Sequence, residues 1–292
     1  MRNLSFILLF IIFCPACERT VEIDLLDRES KLVVEGTIES GQYPRVQLSR
    51  SLDFYSKITP EMLEQSYIHG AKVTVSNGTR THQLKEYTVK VSDSLTVFYY
   101  SIDPLAANTA FRGAFNTSYT LKIEAEGKSY ESVTTIPGND LKVDSMWWIK
   151  TEGKDTTKAR VMVRVTDPPV RGNYVRYFTA RNRKGYLPGL NSVVDDQVVN
   201  GTTFDIAMDA GYDRSEKLDF DNYGFFERGD TVTLKFCNID KATYDFWRTL
   251  DFAFSSAGNP FTSPTKVLGN VDGALGYWGG YAVDIKNIII PR

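Results

Sequence analysis

The sequence predicts a mainly β protein in two domains: an N-terminal immunoglobulin-like β-sandwich, then a larger β-sandwich or partial barrel with one short helix. Three observations predict it. Apolar and polar residues alternate at period two through much of the chain, as half-buried strands require. Turn dipeptides containing glycine punctuate these runs. The chain holds 16 Tyr, 17 Phe and 4 Trp, residues that favour pleated faces.

An export signal precedes the strands. Arg2 carries a positive charge, and Leu4 to Phe13 is apolar apart from Ser5. As a helix this run would reach about 15 Å, roughly half the hydrocarbon thickness of a bilayer, so it cannot span. Ala16 is a small residue suited to cleavage, and cutting after it makes Cys17 the new N-terminus, a thiol placed for acylation at the membrane surface. Cys14 stands three positions earlier, where an aliphatic residue is usual. Residues 1–16 are therefore expected as a lipoprotein signal peptide and 17–30 as a polar tether. An ordinary signal peptide with an incidental cysteine is the alternative.

Cleavage leaves 276 residues with 33 basic and 36 acidic side chains, a balance unsuited to a nucleic-acid partner. With Cys17 acylated, Cys237 stands alone and no intrachain disulfide is available. Stability must then come from burial, for which 42% apolar residues suffice.

The first domain is expected over residues 31–138. Leu32 to Ile38 reads as a strand, and Val46 and Leu48 alternate with Arg45, Gln47 and Ser49. Pro60 fits the first turn of a short helix between Thr59 and Ile68. Val73 and Val75 lead to Asn77-Gly78, a dipeptide that tolerates positive φ, and Thr79 to Leu84 returns as a hairpin. Tyr119, Leu121, Ile123 and Ala125 alternate before Glu126-Gly127 turns into Tyr130 and Val133. Pro137-Gly138-Asn139-Asp140 breaks the pattern and marks the boundary.

The second domain is expected over residues 139–292. Val161, Val163 and Val165 form one strand, Tyr174 to Ala180 the next, and Asn182 to Gln197 reads as a loop. Val232, Leu234 and Phe236 share one strand face, with Cys237 on the other. Asp240 caps a helix near 240–254, in which Thr243, Phe246, Trp247, Leu250 and Phe254 recur at three or four residues and pack on the sheet. Val283, Ile285 and Ile288 to Ile290 give a final strand. Between helix and strand lies a loop, 259–281, with five glycines in the twelve residues from Gly269 and three large rings, Tyr277, Trp278 and Tyr281.

These pieces taken in order, "KLVVEGTIE", "YPRVQLSRS", "GAKVTV", "SYTLKIEAEGKSYESVTTIP" and "NPFTSPTKVLGNVDGALGYWGGY" behind a lipobox cysteine, resemble the domain-of-unknown-function 4249 lipoproteins of Bacteroidota over nearly the whole mature chain. The resemblance implies an outer-membrane-anchored β protein, often encoded beside a TonB-dependent transporter. It brings no established catalytic or binding residues.

Catalytic and metal patterns find little purchase. The two histidines, His69 and His82, both lie in the first half, and no Gly-x-Ser-x-Gly elbow or zinc spacing occurs. An incomplete calcium loop places Asp219, Asp221 and Asp230 at three loop positions, with Tyr223 where a ligand belongs. A solvated acidic turn accounts for it, as it does for Asp195-Asp196. Tyr277, Trp278, Tyr281 and Trp148 are the candidate ligand or partner contacts, because flat rings bury area while losing few rotamers; packing into the core is the competing role. The expectation is a non-enzymatic lipoprotein without cofactor, held by its lipid at the periplasmic face or the cell surface. It would act as an accessory or ligand-binding partner of a TonB-dependent nutrient transporter. A structural or adhesive surface module without a small ligand is the alternative.

Overall fold

The computed structural model describes residues 30–52, 57–151, 155–256, 259, 262–263 and 265–292. The expected signal peptide, Cys17 and all of the tether except Ser30 lie outside the described residues. No helix among the described residues is long and apolar enough to cross a membrane.

Alternation becomes strands where it was expected. In β1 (Leu32–Glu39) and β2 (Arg45–Arg50) every second side chain is buried. Helix α1 (Pro60–Ser66) follows, with the Thr59 hydroxyl accepting from the Met62 amide at 3.3 Å and Pro60 in the first turn. β3 (Lys72–Ser76) and β4 (Thr81–Ser92) form the Asn-Gly hairpin, in which the Asn77 side chain accepts from the Thr79 and Arg80 amides. β5 (Leu95–Ile102) pairs back along β4. β6 (Thr117–Ala125) and β7 (Lys128–Ile136) are joined by Glu126 at φ 52° and Gly127 at φ 74°, a tight turn matched to strand twist.

β8 (Lys142–Lys150), β9 (Lys158–Thr166) and β10 (Tyr174–Arg181) come next, then β11 (Leu187–Asp195), β12 (Thr203–Met208) and the short β13 (Phe226–Glu227). β14 (Thr231–Ile239) leads into helix α2 (Lys241–Ser256), whose Thr243 amide donates to the Asp240 side chain at 2.9 Å, the expected cap. β15 (Leu275–Ile289) ends the fold.

Eleven strands make one mixed sheet in the order β11-β10-β14-β15-β1-β2-β5-β4-β3-β6-β7, which does not close into a barrel. Its parallel pair is β1 with β15, in register from Val33 opposite Leu275 to Glu39 opposite Tyr281. β4 carries the sheet around a corner: Thr81, His82 and Gln83 pair with β3, whereas Leu84 onward pairs with β5. The fold thereby encloses a first core of Val34, Ile38, Val46, Leu48, Val73, Leu121 and their neighbours, with Trp278 and Ala282 of β15. A second sheet has β9 between β8 and the pair β12 and β13. It packs on β10 and β14 through Val161, Val163, Val165, Leu234 and Phe236. Helix α2 covers the opposite face of the large sheet through Tyr244 and Phe246, against Cys237, Tyr277 and Tyr281. The cores separate near residue 138, yet one sheet runs through both halves, and residues 31–292 form one compact unit.

Two segments differ from expectation. Asn182 to Gln197 is not all loop, because it contains β11; Pro188 and Gly189 are accommodated there since β11 is an edge strand whose pairing shifts register between Arg176 and Phe178. The expected loop 259–281 becomes strand from Leu275. Its glycines are required by closeness. A Cβ on Gly280 would stand 2.6 Å from the Thr135 carbonyl oxygen of β7, and one on Gly279 would stand 3.0 Å from the Thr243 hydroxyl of α2. At Gly279 and Gly280 the bare backbone of β15 is thus pressed between two layers.

Candidate functional site

Of the two roles expected for the β15 rings, ligand contact and packing into the core, burial fits the second. Tyr277, Trp278 and Tyr281 are only 3%, 0% and 2% exposed. Trp278 points into the first core, where its Nε1 donates to the Tyr119 carbonyl at 3.0 Å and its backbone is clamped by both ends of the Asn270 side chain. Tyr277 points the other way and stacks on Phe246 at 4.4 Å. Trp148 is half-buried against the second core, with the Arg228 guanidinium 5.6 Å from its ring.

Of the acidic candidates, Asp230 and Asp219 are engaged, whereas Asp221 is exposed. Asp230 accepts from Arg181 Nε at 2.9 Å, Asn182 Nδ2 at 2.7 Å and the Glu227 amide at 2.9 Å. Asp219 accepts from the Asp221 amide and Asn222 Nδ2, holding its own turn. Among the described residues, no group of three or more His, Cys, Asp and Glu side chains is placed to hold a metal ion. Asp196, expected as solvated, is 4% exposed. Of the histidines, His69 bonds Glu86 at 2.5 Å and His82 is buried between the Thr109 hydroxyl and the Asp103 amide.

A different surface stands out by what its side chains leave undone. On the face of β1 opposite the first core lie Glu35 and Thr37, beside Gln47 and Arg45 of β2 and beside Tyr277 and Gly279 of β15. The Arg45 guanidinium lies 4.1 Å above the Tyr99 ring of β5, and Tyr99 stacks on Tyr87 of β4. Elsewhere, cross-strand polar neighbours pair with each other: Lys72 with Glu124, Lys122 with Glu131, Arg164 with Asp205. Glu35, Thr37, Arg45 and Gln47 make no side-chain hydrogen bond or ion pair among the described residues, although they adjoin one another. Glu35 is solvent-exposed, yet enough protein surrounds it that desolvation raises its pKa, against the opposing pull of Arg176 and Arg45. Tyr67, which bridges Ser49 of β2, has its hydroxyl pKa raised by burial and then by Glu35.

A buried polar spine supports this face from the side of α2. Arg176 is 3% exposed, its guanidinium 3.2 Å from the centre of the Trp247 ring. Arg176 Nη1 and Trp247 Nε1 both donate to the Tyr281 hydroxyl, which donates to that of Tyr277, the neighbour of Glu35. None of the four polar residues of the face stands out in the sequence as a candidate. Glu35 sits on the polar parity of "LVVEGTIE", where a solvated strand face reads identically.

The apolar cavity between the sheets of the second half, lined by Val165, Tyr177, Phe204 and Met208 among others, has a volume of about 30 Å³. That is room for about two or three water molecules.

No curated protein matches the chain. A family model does, the Domain of unknown function (DUF4249), over residues 18–287. The chain, with its strands from β1 almost to the end of β15 inside that match, belongs to the DUF4249 family.

Proposed function

We propose that the protein is a non-catalytic lipoprotein, anchored in the outer membrane of a Bacteroidota cell by acyl chains on Cys17, that serves as an accessory or ligand-binding partner of a TonB-dependent nutrient transporter. The observation carrying this reading is the face of Glu35, Thr37, Arg45 and Gln47, whose hydrogen-bonding capacity is unspent although its floor is partly desolvated. Groups so placed are available to a ligand or a partner surface. Glu35 and Arg45 balance in charge, which suits a neutral polar target. The structural bonds of both histidines favour binding over catalysis. A lipid tether would raise the effective concentration of this face near a transporter even if each contact were weak. Within this reading residues 31–138 form an immunoglobulin-like sandwich and residues 139–292 a larger β domain. The alternative, a structural or adhesive module, is favoured by the β4–β5 ribbon, where Val89 and Val91 are exposed.

The test is recovery of the full chain from its native membrane in mild detergent after crosslinking, as wild type and as the Glu35→Gln/Arg45→Ala double variant. A barrel transporter recovered with the wild type and depleted with the variant supports the proposal. Wild type recovered alone refutes it, as does mass spectrometry showing an unmodified Cys17.

A further inference from the structure

We propose that the connection after β9 and the connection after β11 together form a calcium-binding site, with Asp167, Asp196 and Asn200 as its side-chain ligands. The site is independent of the Glu35 face and of the acidic turn at Asp219.

The two connections are laced together. The Asp167 amide donates to the Thr202 carbonyl at 2.9 Å, and the Gly201 amide returns a bond to Asp167 Oδ2 at 2.9 Å. Asn200 Nδ2 donates to the Pro169 carbonyl at 3.2 Å. From the other side, the Gly172 and Asn173 amides donate to Asp196 Oδ2 at 2.8 and 3.1 Å. The Asn200 amide donates to the Asp196 carbonyl at 2.9 Å, so one helical turn sets side chains 196 and 200 on the same side.

This lacing buries acceptors without donors. Asp167 and Asp196 are 2% and 4% exposed, and neither has a Lys or Arg ion-pair partner among the described residues. Asp167 Oδ1 and Asn200 Oδ1 are each buried with no hydrogen-bond partner among the described residues. All the protein bonds to the Asp196 carboxylate go to Oδ2, leaving Oδ1 free of them. Each orphaned oxygen forfeits a bond it would make in water, and a bound cation would restore it.

The donor set selects the ion. It consists of oxygen alone, two carboxylates and an amide, which suits hard cations and not those that prefer nitrogen or sulfur. Calcium accepts six to eight oxygens in irregular geometry, with water completing the shell, whereas magnesium demands a near-regular octahedron and sheds water reluctantly. Ligands from two irregular connections match the former.

The experiment uses the full chain in detergent, stripped with EGTA and titrated calorimetrically with calcium chloride. One saturable site is expected, with a rise in thermal midpoint, and magnesium should bind at least about tenfold more weakly. Asp167→Asn and Asn200→Ala should each weaken calcium binding about tenfold or more. Asn200→Ala leaves both carboxylates in place, so it serves where Asp167→Asn misfolds. Heat of dilution alone, equal binding of magnesium, or wild-type affinity in a folded variant would overturn the assignment. So would a calcium-insensitive protein whose stripped form is stabilised by Asp167→Asn, since that result means a proton occupies the site.

Discussion

Replacing Gly280 by alanine tests the close approach of the β15 backbone to β7. The new Cβ would lie 2.6 Å from the Thr135 oxygen, 2.7 Å from its carbonyl carbon and 2.8 Å from the Ile136 nitrogen, all backbone atoms that no rotamer can move aside. β15 and β7 must part by a good fraction of an ångström. Overpacking of this kind costs about 1–3 kcal/mol. The shift also stretches the buried bond from the Gly280 amide to the Thr134 hydroxyl, 2.8 Å, worth about 1 kcal/mol. Lower entropy of the unfolded chain returns about 0.4–1 kcal/mol, leaving a net loss of about 1–3.6 kcal/mol. For a unit of this size that corresponds to about 2–14 °C in thermal midpoint. Gly185→Ala is the control: its Cβ meets nothing within 4 Å, so the same entropy effect should leave it neutral or stabilised by up to about 1 kcal/mol. Parallel thermal and urea melts decide the matter. If Gly280→Ala melts with or above the wild type while Gly185→Ala behaves as expected, the packing argument is wrong.

Three further outcomes follow from other sites. Trp278→Ala should cost about 3–5 kcal/mol through the cavity it opens, and Trp278→Phe about 1 kcal/mol through the lost bond to Tyr119, both read from urea midpoints. Burial lowers the His82 pKa from 6.5, Asp103 opposing, so below pH 6.5 the unfolded chain takes up a proton that the folded chain resists, and stability falls with acidification. The protonated ring would also turn an N–H toward the Asp103 amide, which now donates to Nε2 at 3.0 Å; the stability difference between wild type and His82→Gln should therefore shrink as pH drops from 7 to 5.5, and a constant difference would count against it. Glu35→Gln should change the stability read from urea melts by no more than about 0.5 kcal/mol, because the carboxylate makes no hydrogen bond or ion pair among the described residues, and a loss well beyond that would mean Glu35 is structural.

Local signals in the sequence carried far, and they stopped where distant segments meet. Asp240 announces its helix because a cap and a three-to-four spacing are readable within fifteen residues. Glu126-Gly127 announces its turn for the same reason. β11 was hidden by Pro188 and Gly189, which read as loop unless the strand is known to be an edge. The start of β15 was hidden because glycines that allow flexibility also allow close approach, and only the positions of β7 and α2 tell the two apart. The Glu35 face depends on β1 meeting β15 more than two hundred residues later, and the orphaned oxygens of Asp167 and Asn200 depend on two connections being laced together. Neither has a signature in one stretch of sequence.

The parallel partnership of β1 with β15 dictates when this protein can fold. A chain made from its N-terminus onward presents β1, β2 and β7 long before residues 275–289 exist to fill the gap beside them. Until those residues arrive, the first core lacks Trp278 and the second half lacks the strand that β14 pairs with. Contacts so remote in sequence form slowly, and unpaired edges left waiting invite aggregation. A ribosome stalled or a chain cut before residue 275 should therefore yield no folded fragment of either half, only a product that needs a holding chaperone to stay in solution.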